Sequence, residues 1–413
     1  PDLHYNNNRI RAFTVWTSDE VSVDYTDLKQ VAPFEDVDRL EELVARLNAI
    51  PGVTAPSPRV RRWINIKLAP LRPDDGLPRL LEVFDWVVGA NLAGARAAAA
   101  LRKEGFDGRV VLVGSEPERP YERPPLSKGF LTGEVGDEDF FLQSLDAYEE
   151  QGIDLRLGVR ATCLDPDEKT VTLDTGEQLR WDKLLIATGA TPRKLDVKGA
   201  DLDGVHYLRT VADARLIRDA LQQAERIAVV GMGFIGAEVA ATAQTLGKEV
   251  VAIEATDLPL APLGREVSDR LMQVHRERGV DIRTNTLVTG FLGFDHIERV
   301  ITDAGGVDCD LAVIGIGVVP ETGWLAGSGI EIDRGVIVDE HCQTNLPDIY
   351  AVGDVASWYS PRYERHLLTE HFDNAGEQGV VAAKNMLGQE AVHDPVPYFW
   401  SDQGDRSIQV IGL

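Results

Sequence analysis

Arg226-Ile-Ala-Val-Val-Gly-Met-Gly-Phe-Ile-Gly-Ala-Glu238 is the stretch that decides the fold. A near-continuous apolar strand runs into Gly231, Gly233 and Gly236, and a small-residue helix from Gly236 to Leu246 follows. The next apolar run, Glu249-Val-Val-Ala-Ile253, ends at Glu254. Strands buried on both faces read as continuous apolar residues, and this order is that of a βαβ unit in a parallel sheet. The glycines divide the work: one bends the chain sharply, one lets the backbone meet a pyrophosphate, one packs helix on strand. The helix N-terminus adds unpaired N–H groups and a positive dipole. Glu254 lies about 20 residues on, where a carboxylate accepts from a ribose 2′-hydroxyl. The residues after it, Ala255-Thr-Asp-Leu-Pro259, offer no arginine to a 2′-phosphate. NADH is therefore expected in preference to NADPH.

A second loop, Gly89-Ala-Asn-Leu-Ala-Gly94, has the same outline, with Asn91 in place of the middle glycine. The Asn91 side chain is expected to restrict approach to the backbone, offset by the tolerance of asparagine for unusual turn angles. A helix from Ala93 to Leu101, a strand Arg109–Gly114 and then Ser115 and Glu116 follow, and Glu116 is placed to hold a second ribose. The apolar runs Trp181–Ile186 and Asp348–Val352 end in Ala187-Thr188-Gly189 and Gly353-Asp354, two further turns at the ligand-binding edge of the same sheet. One glycine loop suggests a dinucleotide; two suggest a flavin facing a nicotinamide.

The entry to this loop is irregular. Leu80, Leu81, Phe84, Val87 and Val88 fit a helix begun near Pro78, yet a Rossmann unit requires a strand here. A gene fusion and a misjoined reading frame both fit that conflict. Upstream, 12–16 and 21–25 read as a hairpin, and Val37, Leu40, Leu43, Val44 and Leu47 as an amphipathic helix. Pro56, Pro58, Pro70, Pro73 and Pro78 then mark an irregular connector. No function is legible in this segment.

Composition narrows the class. The chain has 413 residues, 44% of them apolar, enough for two or three domains. A net charge of -25 excludes a general nucleic-acid binder. The longest apolar runs, such as Leu311–Pro320, fall far short of the roughly 20 residues that span a bilayer. No secretory signal is visible, and because the chain opens on Pro1 a missing natural start is expected. Cys163, Cys309 and Cys342 are scattered and odd in number, which suits a reducing cytoplasm, and each is expected to be buried or half-buried. The eight histidines show no metal-ligand spacing, and 265–278 reads as an exposed helix face of mixed charge.

From about Val87 onward the chain resembles the FAD-dependent, NADH-linked ferredoxin reductases of bacterial oxygenase systems, the putidaredoxin and rhodocoxin reductase type. The residues that carry the resemblance are Arg119-Pro-Tyr-Glu-Arg-Pro-Pro-Leu-Ser-Lys128, Thr344-Asn-Leu-Pro-Asp-Ile-Tyr-Ala-Val-Gly-Asp354 and Val396-Pro-Tyr-Phe-Trp-Ser-Asp-Gln403. It implies an α/β fold with two Rossmann-like domains of the pyridine-nucleotide-disulfide oxidoreductase type. The FAD domain would comprise 83–193 and 312–392, the NAD domain 194–311. Residues 393–413 would open a truncated α+β interface domain, and 1–82 stay unassigned.

Carried over by position, the resemblance implies that Gly89, Asn91, Ala93 and Gly94 meet the flavin pyrophosphate. Ser115 and Glu116 would lie by the adenosine ribose and Ala161 by the adenine. Arg123, Thr188, Gly189, Arg193, Gly353 and Asp354 would hold the FAD body, with Phe372 and Trp400 beside the ring. Lys128 would stand at the flavin N5 edge, paired with Glu238 near the nicotinamide. The bland alternatives are a solvated loop charge for Lys128 and an exposed helix residue for Glu238. The implied activity is hydride transfer from NADH to FAD, then single electrons to a ferredoxin-type iron–sulfur protein. With no nearby cysteine pair, and Pro124–Ser127 where related peroxide and disulfide reductases carry one cysteine, thiol chemistry is not expected. A flavin-dependent NADH oxidase and a silent nucleotide-binding scaffold are the rival readings.

Overall fold

Gly231 stands at the carboxyl end of Arg226–Val230, the middle strand of a five-stranded parallel sheet. Leu311–Ile314 and Glu249–Ile253 flank it, and Val205–Tyr207 and Asp281–Arg283 form the edges. Gly89 is placed in the same way. The strand before it, Phe84–Val88, is the middle of a second five-stranded parallel sheet, between Arg109–Gly114 and Lys183–Ile186. Ile153–Leu157 and Ile349–Ala351 are the edges of that sheet. Each glycine loop thus leaves its sheet where the strand order reverses, the crevice in which open parallel sheets hold nucleotides.

The computed structural model describes residues 4–6, 9–12, 14–16, 22–24 and 84–413, with side chains from Trp86 onward. The chain divides into Pro1–Glu82 and Val83–Leu413. In the first unit His4–Asn6 pairs antiparallel with Arg9–Ala12, and Thr14–Trp16 with Ser22–Asp24; the second pair is the expected hairpin. The helix expected through Val37–Leu47 and the proline connector lie outside the described residues.

The helix reading of 80–88 is corrected over its described part, because Phe84–Val88 is a strand. The cause is tertiary. This segment finds a parallel partner on each side, Trp86 and Val88 pack with Val111 and Ile186 on one face, and Val87 packs with Leu101, Leu112 and Leu185 on the other. Burial on both faces outweighs a local periodicity that costs only tenths of a kcal/mol per residue to override.

Two short strands, Ala190–Pro192 and Val318–Pro320, pair antiparallel, so the chain leaves the first sheet and returns to it along one seam. Leu311–Ile314 belongs to the second sheet, which moves the boundary expected between 311 and 312 to beyond Ile314. The helix Leu92–Lys103 after the first loop is crossed closely by Phe372–Met386. A Cβ at Gly379 would lie 2.5 Å from the Ala93 carbonyl oxygen, so glycine is what allows this approach. The chain closes on a hairpin, Tyr398–Gln403 with Arg406–Ile411.

Among the described residues no helix is long and apolar enough to cross a membrane. Cys309 and Cys342 are buried as expected, whereas Cys163 is exposed. It sits on Ala161–Asp165, the outer strand of a three-stranded antiparallel sheet, on a face left to solvent. The helix Arg265–Glu277 keeps Glu266, Asp269, Arg270, Arg276 and Glu277 exposed while burying Ser268, Met272 and His275.

Candidate active site

The glycines of the two loops fall into the same pair of roles. At Gly89 (φ +130°) a Cβ would lie 2.0 Å from the Ala187 oxygen, and at Gly94 2.0 Å from the Gly89 oxygen. In the second loop the corresponding values are 2.4 Å, from Gly231 (φ +93°) to the Gly315 oxygen, and 1.9 Å, from Gly236 to the Gly231 oxygen. These outer glycines are required by the protein's own packing. Gly233 is different: φ is −75° and a Cβ would meet nothing within 4 Å. Its bare backbone faces open space at a helix N-terminus, the cradle that a pyrophosphate fills.

Asn91 occupies the equivalent place and does not need an unusual turn angle, since its φ is −122°. It caps the helix, with Oδ1 accepting from the Gly94 N–H at 3.3 Å. Its Nδ2 donates to the Ala187 oxygen at 2.5 Å, tying the loop to the Ala187-Thr188-Gly189 turn. The expected steric restriction is therefore corrected: the side chain is turned into the protein. Thr188 donates to the Glu321 oxygen, and Gly189 has φ +68°. Gly89, Asn91, Ser115, Glu116, Arg123, Ala161 and Thr188 line one cleft of about 560 Å³, counted with the space that opens to solvent.

Glu116 is held by two donors, Arg123 (Nη2 to Oε1, 2.7 Å) and Tyr121 (Oη to Oε2, 2.5 Å). Burial pushes the Tyr121 phenol far up, so it stays a neutral donor. Arg123 also donates to the Arg209 carbonyl, and Arg209 pairs through Nη2 with Asp354 at 2.8 Å. Arg209 was not singled out from the sequence. Arg193, expected with Asp354 to hold the FAD body, is exposed on the connection between the sheets. Gly353 donates its N–H to Gln378 Oε1 at 2.7 Å, and Gln378 Nε2 is buried without a partner among the described residues. Phe372 and Trp400 are brought together edge to face, their ring centroids 5.6 Å apart.

Lys128 and Glu238 meet across 110 residues of sequence, Nζ to Oε2 at 2.8 Å. Glu238 is only 3% exposed, so the reading of it as a surface helix residue is excluded. Its carboxylate also accepts from Ser127 Oγ (2.5 Å) and Ser401 Oγ (2.7 Å). Lys128 donates to the Pro124 oxygen and to Ser127 Oγ as well, which occupies its three N–H groups and fixes the ammonium. On the second loop, Glu254 accepts from the N–H groups of Met232 and Thr256, each at 2.9 Å. The carboxylate thus lies against the turn that carries Gly231 and Gly233.

Residues 86–379 match the family model for pyridine nucleotide-disulphide oxidoreductases. The chain belongs to that family. It is 40% identical to the 5,5′-dehydrodivanillate O-demethylase ferredoxin reductase subunit of Sphingobium sp., over 79% of this chain and 81% of the relative. It is 37% identical to putidaredoxin reductase of Pseudomonas putida, over 79% of each chain. The crystal structure of the covalent putidaredoxin reductase–putidaredoxin complex superposes with a TM-score of 0.78 and 36% identity, covering 80% of this chain and 81% of that one. The family uses FAD and NAD(P)H, and the two glycine cradles fit those groups. Despite the family's name, the three cysteines here are all free, and Pro124–Ser127 beside Lys128 contains none.

Proposed function

We propose that this chain is an FAD-dependent NADH:ferredoxin oxidoreductase serving an oxygenase. The observation that carries the reading is the Lys128–Glu238 pair, which joins the segment after the first sheet's second strand to the helix of the second glycine loop, with no thiol beside it. FAD, when bound, would supply the chemistry: acceptance of a hydride from a nicotinamide and release of single electrons to an iron–sulfur acceptor.

The chain's own residues position and tune. Gly89, Asn91, Ala93 and Gly94 present the first helix N-terminus to the FAD pyrophosphate. Glu116, steadied by Arg123 and Tyr121, faces the adenosine end with Ser115 and Ala161. Asp354, paired with Arg209, would hold the middle of the molecule, and Phe372 and Trp400, which meet edge to face, would lie beside the ring. Lys128 holds its charge in one place through three acceptors, so it meets growing negative charge without reorganising. The FAD part would run through 83–193 and 315–392, the nicotinamide part through 194–314, and 393–413 would begin an interface domain. Unpaired, scattered cysteines suit a cytoplasmic setting.

NADH is preferred in this reading because Glu254 would repel a 2′-phosphate. The arginines around that strand end, Arg265 and Arg283, are already committed to Asp257 and Asp281 at 2.5 and 2.9 Å. The test is anaerobic titration of the FAD-loaded chain with each nucleotide. NADH should bleach the flavin band with a Kd at least about tenfold lower than NADPH, a difference of about 1.4 kcal/mol. Equal or tighter binding of NADPH overturns the preference. A colourless protein that FAD does not restore overturns the enzyme.

A further inference from the structure

The motif Trp400-Ser-Asp-Gln403 lies on a strand whose alternate residues, Ser401 and Gln403, turn inward and are 0% and 2% exposed. Neither is among the residues that line the cleft around Gly89, and both are polar. They form a continuous series of hydrogen bonds with groups far apart in sequence. Ser401 Oγ meets Glu238 Oε1 at 2.7 Å, Gln403 Nε2 meets Ser401 Oγ at 3.3 Å, and Gln403 Oε1 meets His275 Nε2 at 2.8 Å.

The direction of the series follows from chemistry. An ionised carboxylate only accepts, so Ser401 must give its one proton to Glu238 and can only accept from Gln403. That turns the Gln403 amide nitrogen toward Ser401 and its oxygen toward His275. An amide oxygen only accepts, so His275 must carry its proton on Nε2. The remaining ring nitrogen, Nδ1, is buried without a partner among the described residues. Burial and the nearby Arg278 lower the tendency of His275 to take a second proton, which would have nothing to donate to. Arg278 also donates to the Gln403 carbonyl at 3.2 Å and pairs with Asp405, pinning the hairpin turn to the end of the Arg265–Glu277 helix.

We propose that Ser401, Gln403 and His275 are positioning residues, which hold the Glu238 carboxylate on Lys128 through a series of hydrogen bonds of one polarity. The Tyr398–Ile411 hairpin thereby links Glu238, on the helix of the second glycine loop, to His275 on the Arg265–Glu277 helix. Its kinetic consequence rests on the proposed function; its protonation pattern does not.

The test separates the two. In the FAD-loaded full chain with 15N-labelled histidine, the His275 ring signals, assigned by their loss in His275→Gln, should report a single neutral Nε2–H tautomer between pH 6 and 9. Ser401→Ala releases the constraint on the Gln403 amide, so His275 should become a mixture of tautomers although Ser401 does not touch it. Ser401→Thr, which keeps the hydroxyl, should restore the single form. In stopped-flow reduction by NADH, Ser401→Ala should lower the saturating rate roughly tenfold with little change in nucleotide Kd, again with rescue by threonine. An Nδ1–H tautomer in the unsubstituted protein refutes the polarity, a result that does not depend on the folding of any Ser401 variant. An unchanged tautomer in Ser401→Ala breaks the series. If the tautomers behave as stated but the reduction rate does not move, the series stands and its link to the proposed activity falls.

Discussion

Gly233 and Gly236 stand three residues apart in one turn, yet alanine at each should fail differently. At Gly236 the new Cβ would lie 1.9 Å from the Gly231 carbonyl oxygen, where real Cβ contacts essentially never fall below 3.0 Å. Helix and turn must separate by at least about 1 Å in a close-packed core, and overpacking of this kind costs about 1–3 kcal/mol or more. At Gly233 the methyl meets nothing within 4 Å and φ is −75°, so the folded state accommodates it. The weaker N-cap of alanine costs some tenths of a kcal/mol, and the reduced freedom of the unfolded chain returns about as much. Stability should therefore stay within about 0.5 kcal/mol of the parent. The methyl does stand where a pyrophosphate must approach the backbone. Losing that approach should cost NADH binding about 2–3 kcal/mol, a 30- to 150-fold rise in Kd. Thermal unfolding of the FAD-loaded proteins measures the first quantity, and the NADH dependence of anaerobic flavin bleaching the second. If Gly233→Ala binds NADH like the parent, or Gly236→Ala melts like it, the division of labour argued for these glycines is wrong.

Three further outcomes are expected. Asn91→Ala removes both the cap on Gly94 and the tether to Ala187, and should lower stability by about 1–2 kcal/mol and reduce the flavin-to-protein ratio after purification. Arg209→Ala leaves Asp354 without its ion-pair partner and should weaken FAD binding roughly tenfold, read from flavin fluorescence on dilution; an unchanged affinity would remove Arg209 from the site. His393 is buried beside Trp358 and its imidazole is held down at about 4 by burial, well below the value in an unfolded chain. A folded-state value that is depressed means that stability from this group is complete above about pH 6.5 and is lost as pH falls toward 4, by about 3 kcal/mol in all. In urea melts across that window, His393→Gln should lose less stability than the parent; parallel curves would contradict the assignment.

Much of this architecture is legible along the chain because its signals are local. Strand, glycine turn and helix are contiguous in 226–245, and each choice agrees with the others. Phe84–Val88 escaped because its decisive partners, Lys183–Ile186 and Arg109–Gly114, are distant, and the spacing of the apolar residues from Leu80 to Val88 suits a helix. Asn91 looked like a defect since the sequence does not reveal that Ala187 stands ready to accept its amide. Arg209 escaped for the same reason: its ion pair with Asp354 spans 145 residues and leaves no local pattern. Ser401 and Gln403 were visible in a motif, but their spacing of two on a strand acquires meaning only once Glu238 and His275 are brought against that face.

The most direct test of the central claim is anaerobic reduction of the FAD-loaded chain by one equivalent of NADH, followed by cytochrome c with and without an added plant- or adrenodoxin-type ferredoxin. The account predicts full bleaching by NADH, and cytochrome c reduction that depends on the ferredoxin and saturates with it. Bleaching followed by ferredoxin-independent reoxidation in air at the same rate would make the protein an oxidase, and absence of bleaching would contradict the reductase altogether.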